Sequence, residues 1–289
     1  MGRLFKAFLF KLKRDLTFRI TLFIGIGLAI FLTLIYFGID LITANENNIP
    51  LSELANKNCS GQAMLMNSFS QTQNFGLSIP INLISFISLE FTYGTIRNKI
   101  IAGNSKFKIY TGLFVSGLVF SLSLIIIYVL ICFGLGTIIG GFNPNGSTAP
   151  FFGFIPTNIN WDFLLRFIFI NLLTYVTLTS FAVMVVTVIR HIGGSIPIVL
   201  IVIIFAAMFG SISSLIAYGG TDLDGLIWAL RILDPFYASN AMEFKTLEGG
   251  TLLRIISNES FIVSIISNIV YTALFFFGGA LIFRKRDVK

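Results

Sequence analysis

Long runs without a charged residue limit this chain more than any other feature. Residues 20–39, 58–89, 111–161, 167–189, 196–218 and 260–283 contain no Asp, Glu, Lys, Arg or His. A bilayer core is crossed by about 20 consecutive apolar residues in a helix, because backbone groups in lipid must be satisfied internally. The runs predict six transmembrane helices: 20–39, the second half of 58–89, 111–141, 167–189, 196–218 and 260–283. The predicted fold is all-α, one polytopic membrane domain over residues 1–289. Only 11% of residues are charged and 55% are hydrophobic, whereas soluble domains carry about 25% charged residues. This excludes a water-soluble globule. It also excludes disorder, which needs low hydrophobicity and high charge.

Orientation follows from Lys and Arg. Fifteen of the twenty basic residues fall in the N-terminal stretch, the loop after the second span, Arg190 and the C-terminal tail. Lys57, Arg166, Arg231, Lys245 and Arg254 occupy the other side. The positive-inside rule then predicts cytoplasmic termini in a multi-pass membrane protein. The net charge of +7 is accounted for by this asymmetry, so no nucleic-acid partner is expected. The first span has no A-x-A-like cleavage site and reads as a permanent anchor.

Residues 1–19 form a separate predicted element. At 100° per residue Leu4, Phe5, Phe8, Leu9, Leu12 and Leu16 share one face, with Arg3, Lys6, Lys13 and Arg14 opposite. A basic amphipathic helix of this kind lies in the membrane interface.

The chemistry-bearing motifs are few. No G-x-x-x-x-G-K-[ST] loop, nucleophile elbow, HExxH or kinase signature occurs, so no nucleotide cradle or catalytic centre is predicted. One histidine, His191, and two cysteines, Cys59 and Cys132, make a His/Cys metal site improbable. The spans lack the mid-membrane ionisable residues that ion-coupled carriers use; Asp40 and Glu90 lie near span ends. Energy for any transport is expected from outside the chain.

The loop of residues 91–110 is the most informative segment. Gly94 is expected to break the second span, Thr95 to cap a short helix over 96–102, and Gly103 to end it. The helix would lie across the cytoplasmic face, presenting Arg97 and Lys99. Across Glu90, Gly94, Thr95, Arg97, Lys99, Gly103, Ser105 and Tyr110 the chain reads E-x-x-x-G-T-x-R-x-K-x-x-x-G-x-S-x-x-x-x-Y. This stretch resembles the segment after the second span of ABC type-2 permeases, where a coupling helix contacts the nucleotide-binding ATPase. The interfacial helix, six spans and basic tail extend the resemblance over nearly the whole chain.

The resemblance implies a half-transporter without catalytic residues of its own. Two permease subunits, identical or paralogous, would each engage a cytosolic ABC ATPase, two ATPases per complex. ATP and Mg would bind the ATPases, and this chain would bind no cofactor and no metal. Glu90 would help position the coupling segment, with Arg97 and Lys99 facing the ATPase. Membrane lipids are the other expected partners.

Two polar stripes cross the apolar spans. Gln71, Asn74, Ser78, Asn82 and Ser85 are spaced 3, 4, 4 and 3, and share a helical face beside Pro80. Ser264, Asn268 and Tyr271 are spaced 4 and 3. Polar side chains avoid lipid, so these residues line either a translocation path or a helix–helix seam. Gly136 and Gly140 form a small-xxx-small pattern, read as packing or dimerisation. Asp162 and Arg166 are expected to pair at i, i+4. His191 is expected to face headgroups or a partner. Residues 43–70 read as an outer loop, with a Cys59–Cys132 bridge open as an option. Residues 219–257 read as a second outer segment with an interfacial or re-entrant helix over 226–233.

The expected function is the permease subunit of an ATP-driven exporter for an amphipathic or hydrophobic cargo, such as an antimicrobial peptide or drug. Some of the 32 phenylalanines could line an apolar exit route. Two alternatives stay open: export of a lipid-linked glycan or ion, and a non-transporting membrane immunity or scaffold protein.

Overall fold

The structure, a computed structural model, describes residues 7, 10–12, 14–69, 77–142, 161–218, 226, 229, 232–234, 236, 243–246 and 252–286. In chain order the helices are α1 (Leu16–Asn47), α2 (Leu51–Asn58), α3 (Gly61–Ser68), α4 (Ser78–Thr92), α5 (Thr95–Ile101), α6 (Lys106–Gly140), α7 (Trp161–Ile189) and α8 (Ile192–Tyr218). Strands β1 (Glu243–Thr246) and β2 (Leu252–Ile255) and helix α9 (Asn258–Lys285) follow. Among the described residues five helices, α1, α6, α7, α8 and α9, are long and apolar enough to cross a membrane. The chain is a multi-pass helical membrane protein. Its outward apolar residues form the belt that such a protein turns to lipid: Ile138 is 81% exposed and Phe23 71%.

The second predicted span differs from the other five. α4 has 15 residues, a length of about 22 Å, and joins α5 at a 54° bend. Gly94 makes the bend with φ +64°, a left-handed conformation that glycine adopts without steric cost.

α1 starts at an N-cap. Asp15 is extended, and its carboxylate accepts from the Phe18 N–H at 3.3 Å. This cap separates α1 from the helical positions among residues 7–14. The apolar face predicted for the N-terminal helix therefore does not continue to Leu16, which is 69% exposed, whereas Leu12 is buried. Within α1 the buried residues are Thr21, Gly25, Ala29, Thr33, Asp40 and Ala44. All are small or short, mostly four residues apart, and they let α1 approach α6 closely.

The predicted outer loop at 43–70 is instead mostly helical. α1 runs to Asn47, Asn48 ends it in the left-handed conformation, and Pro50 precedes α2. Ser60 then caps α3, accepting from the Ala63 N–H at 3.4 Å. α3 is buried along nearly its whole length and lies against the end of α6. The seat is Gly136 and Gly140. A Cβ at Gly136 would sit 2.7 Å from Met64 Cγ, and one at Gly140 2.2 Å from the Ala55 carbonyl. The Gly61 N–H completes the joint by donating to the Gly141 carbonyl at 2.9 Å. The small-xxx-small pattern thus serves contact within the chain.

Cys59 and Cys132 are both buried and free, so the optional bridge is not formed. The Cys59 thiol donates to Asp40 Oδ2 at 3.3 Å, and Asn58 donates to Asp40 Oδ1. Burial, and then the Asp40 carboxylate, push the Cys59 thiol well above its usual range, so it remains a protonated donor.

The fold is all-α as expected, with one short β-hairpin added among the described residues. β1 and β2 pair antiparallel, with Glu243 opposite Ile255 and Thr246 opposite Leu252. Gly249-Gly250 between the strands is the hairpin signal in the sequence, overlooked because each strand has only four residues. In the predicted helix 226–233, residues 226, 229, 232 and 233 are helical and the rest lie outside the described residues.

Candidate functional site

The sharpest polar cluster is centred on Glu90, at the last turn of α4. Its side chain is 2% exposed, a placement that an unpaired carboxylate does not tolerate. Lys11 Nζ donates to Oε1 at 2.5 Å and Lys99 Nζ to Oε2 at 2.7 Å. The Thr95 hydroxyl donates to the Glu90 carbonyl at 2.9 Å and also reaches Oε2. Lys11 lies 4.7 Å from the centre of the Phe86 ring, one turn before Glu90. One carboxylate therefore ties together three segments: the N-terminal helical stretch, α4 and α5. Two ammonium groups facing one carboxylate more than cancel its charge. Both lysines are themselves partly covered, with side chains 32% and 21% exposed.

α5 is divided by side. Ile96 is buried and Lys99 turns toward Glu90, while Tyr93, Arg97 and Ile101 are exposed. Arg97 and Ile101, four residues apart, share one outward face of α5, whereas Tyr93 is the C-cap of α4 and lies before the bend. Lys99 was expected to face outward with Arg97; the structure turns it inward, because Glu90 at the end of α4 needs a cation. Thr95 was expected to cap the short helix. α5 has no side-chain cap; Gly94 begins it, and the Thr95 hydroxyl serves Glu90. Gly103 lies just past the helix with φ +84° and donates to the Ile100 carbonyl at 2.9 Å, the glycine stop that was expected.

Ser105 caps α6, accepting from the Lys108 N–H at 3.4 Å. Tyr110 is fully buried and packs on the rings of Phe276 and Phe283. Its hydroxyl stands over Gly279, where a Cβ would lie 2.1 Å away. Nearby, Lys106 Nζ donates to the carbonyls of Arg284 and Arg286 at 3.2 and 2.8 Å. The Arg286 guanidinium donates to the Val188 carbonyl. The start of α6, the end of α9 and the end of α7 are thus strapped at the same end of the bundle, called here the basic end. His191 belongs to the turn between α7 and α8. Its Nδ1 accepts from the Gly194 N–H at 3.1 Å, so this exposed ring caps α8.

The two polar stripes separate. Gln71 and Asn74 lie outside the described residues. Ser78, Asn82 and Ser85 are half-buried on the less covered face of α4. Asn82 donates to the Ser78 carbonyl at 2.8 Å and Ser85 to that of Ile81 at 3.1 Å. Ser264 and Asn268, by contrast, are buried. Thr177 on α7 donates to Asn268 Oδ1 at 2.8 Å and shares a 2.9 Å hydrogen bond with Thr272. The Ser180 hydroxyl donates to the Thr272 carbonyl at 3.1 Å. These contacts join α7 to α9 within the chain. Tyr271 is half-buried, and its hydroxyl donates to the Ile232 carbonyl at 2.9 Å.

At the far side of the bundle Asp162 and Arg166 pair at 2.8 Å, as the i, i+4 spacing implies. Arg166 also donates to Asn258 at 2.5 Å. Among the described residues no group of three or more His, Cys, Asp or Glu could hold a metal ion.

Lys11, Lys106, Arg286 and Gly279 were missed as partners in this region. Lys11 could have been found from the need of a buried Glu90 for cations. The roles of Gly279 and Arg286 depend on contacts between segments far apart in the chain, and no local pattern carries them. No protein-family model, no curated protein and no solved structure matches the chain.

Proposed function

We propose that this chain is the membrane subunit of an ATP-driven exporter of the ABC type-2 kind. The observation that carries the reading is the joint at Glu90, which links an N-terminal helical stretch, a short span and, across a bend, a short helix with an exposed Arg97 and Ile101 edge. A soluble ATPase docked on that edge would push on α5. The Glu90 carboxylate would pass the displacement to α4 and, through Lys11, to the N-terminal helix. In this reading α4 and α5 together form the second of six spans and its coupling helix, and the basic end faces the cytoplasm of a bacterial plasma membrane. ATP and Mg bind the partner ATPases.

The half-buried stripe of Ser78, Asn82 and Ser85 supports a second permease copy or paralogue. Polar side chains on an outward face are poorly matched to lipid, and a second subunit would cover them and share a central path. The proposed cargo is an amphipathic or hydrophobic peptide or drug, whose apolar surface suits spans with few polar groups.

The test is co-purification in mild detergent followed by protein identification. A near-stoichiometric P-loop ATPase is expected with the wild-type chain, and Arg97→Glu is expected to remove it while leaving membrane insertion intact. Arg97 is the better probe than Lys99, because replacing Lys99 also disrupts the Glu90 joint. A preparation without ATPase after crosslinking would overturn the reading.

A further inference from the structure

The basic end carries a hollow that the joint at Glu90 does not use. It has a volume of about 540 Å³ and lies between the start of α6 and the end of α9. Its rim is Ser105, Lys106 and Arg284, and its wall is Phe107, Phe277 and Leu281. The wall residues are 46%, 58% and 58% exposed. Cations therefore sit at one edge of an open apolar slot.

Among the described residues Lys106 and Arg284 make no ion pair. The two hydrogen bonds of Lys106 go to neutral carbonyls, which fix the ammonium in place without cancelling its charge. Arg284 is exposed. A second open hollow, of about 310 Å³, lies farther along α9 toward its start, against the same two helices and α7. It is bounded by Phe114 and Phe276 among other apolar side chains, whose rings pack at 4.9 Å. From Arg284 to Ile269 α9 runs fifteen residues, about 22 Å, a length comparable with an acyl chain.

We propose that this slot is a binding site for an anionic phospholipid of the basic-end leaflet. Lys106 and Arg284 hold the phosphodiester, and Phe107, Phe277 and Leu281 cover an acyl chain that runs toward the hollow at Phe276. Basic pockets between membrane helices bind anionic headgroups in this way, and the apolar wall adds what a headgroup alone would not need. The lipid would brace the junction where Lys106 straps α6 to the tail of α9. The inference does not depend on the transport reading.

The experiment is lipid retention by native mass spectrometry of the full chain, purified and mixed with equal amounts of phosphatidylglycerol and phosphatidylcholine. Preferential retention of phosphatidylglycerol is expected. Arg284→Gln, whose side chain makes no fold contact described above, should lower that preference roughly five-fold, and Lys106→Gln with Arg284→Gln should lower it further. Lys108→Gln, exposed but outside the slot, should leave it unchanged. Glycerophosphoglycerol, the same headgroup without acyl chains, should compete at least tenfold less well. Three results would overturn the proposal: equal retention in Arg284→Gln, equal loss in Lys108→Gln, or full competition by the chain-free headgroup. The first would mean the slot does not select charge, the second a diffuse basic surface, and the third an anion site without a lipid.

Discussion

The two ends of the bundle each bury a carboxylate, yet they hold their segments together by different physics. At the basic end Glu90 joins three segments through lysine side chains and one threonine hydroxyl. At the opposite end the α2–α3 pair is seated on α6 by backbone lying against Gly136 and Gly140, with Asp40 receiving Asn58 and Cys59 beside it. A steric seat has one arrangement, since close-packed backbone gains nothing by sliding. A joint of long charged stems can lengthen or re-aim with little loss, because each lysine has several rotamers. The Glu90 joint therefore tolerates re-aiming better than the glycine seat does.

The strongest way to break this comparison is at Gly140. Gly140→Val would put side-chain atoms into the Ala55 carbonyl and the Cys59–Ser60 backbone. Overpacking against side chains costs about 1–3 kcal/mol, and backbone cannot rotate away. A loss above about 4 kcal/mol is expected, read as aggregation or a collapsed melting temperature of the detergent-purified chain. If Gly140→Val melts like wild type, the opposite end is not a steric lock.

Glu90→Ala comes next. It leaves Lys11 and Lys99 facing each other without their carboxylate. Removing one partner of a buried ion pair costs about 3–5 kcal/mol; the partly solvated lysines bring the expected loss to about 3 kcal/mol. The sharper version is the exchange of Glu90→Lys with Lys99→Glu. If charge holds the joint, the double variant recovers part of what either single variant loses, measured as a coupling energy in a double-mutant cycle. No such recovery is possible by analogy at Gly140, where shape rather than charge is complementary.

The same contrast explains what the sequence could reveal. Five of the six predicted spans correspond to long apolar helices, because a 20-residue charge-free run is a strong, local signal. The glycines at 94 and 103 were legible for a similar reason, as each ends or bends a helix within a few residues. The inward turn of Lys99 was not legible. Arg97 and Lys99 are both basic residues of a short helix, and only the bend at Gly94 aims one at Glu90 and leaves the other outside. The segment at 51–68 was misread for a different reason. Its helices are eight residues each, too short to show an apolar period, and their stability comes from contact with α6 rather than from propensity. The hairpin at 243–255 failed in the same way, being four residues per strand.

The polar stripes extend the comparison into the membrane, and they order the smaller effects. Asn268→Val removes one acceptor of the Thr177 hydroxyl inside the α7–α9 interface and leaves Thr272 as its other side-chain partner. Hydrogen bonds between membrane helices contribute about 0.6–2 kcal/mol, so a drop of about 1 kcal/mol is expected for the isolated chain. Asn82→Leu removes only a bond to its own helix, from a half-buried face that no described residue fully covers. Its expected effect on the melting temperature of the monomer is near zero. Its effect on association is the informative quantity. If a second copy of the chain or a related subunit covers this face, Asn82→Leu shifts the balance of single and paired chains in a crosslinking assay while Asn268→Val leaves it alone. Were both variants to change monomer stability equally and association not at all, the α4 stripe would be packing within the chain, and the argument for a paired path along α4 would fail.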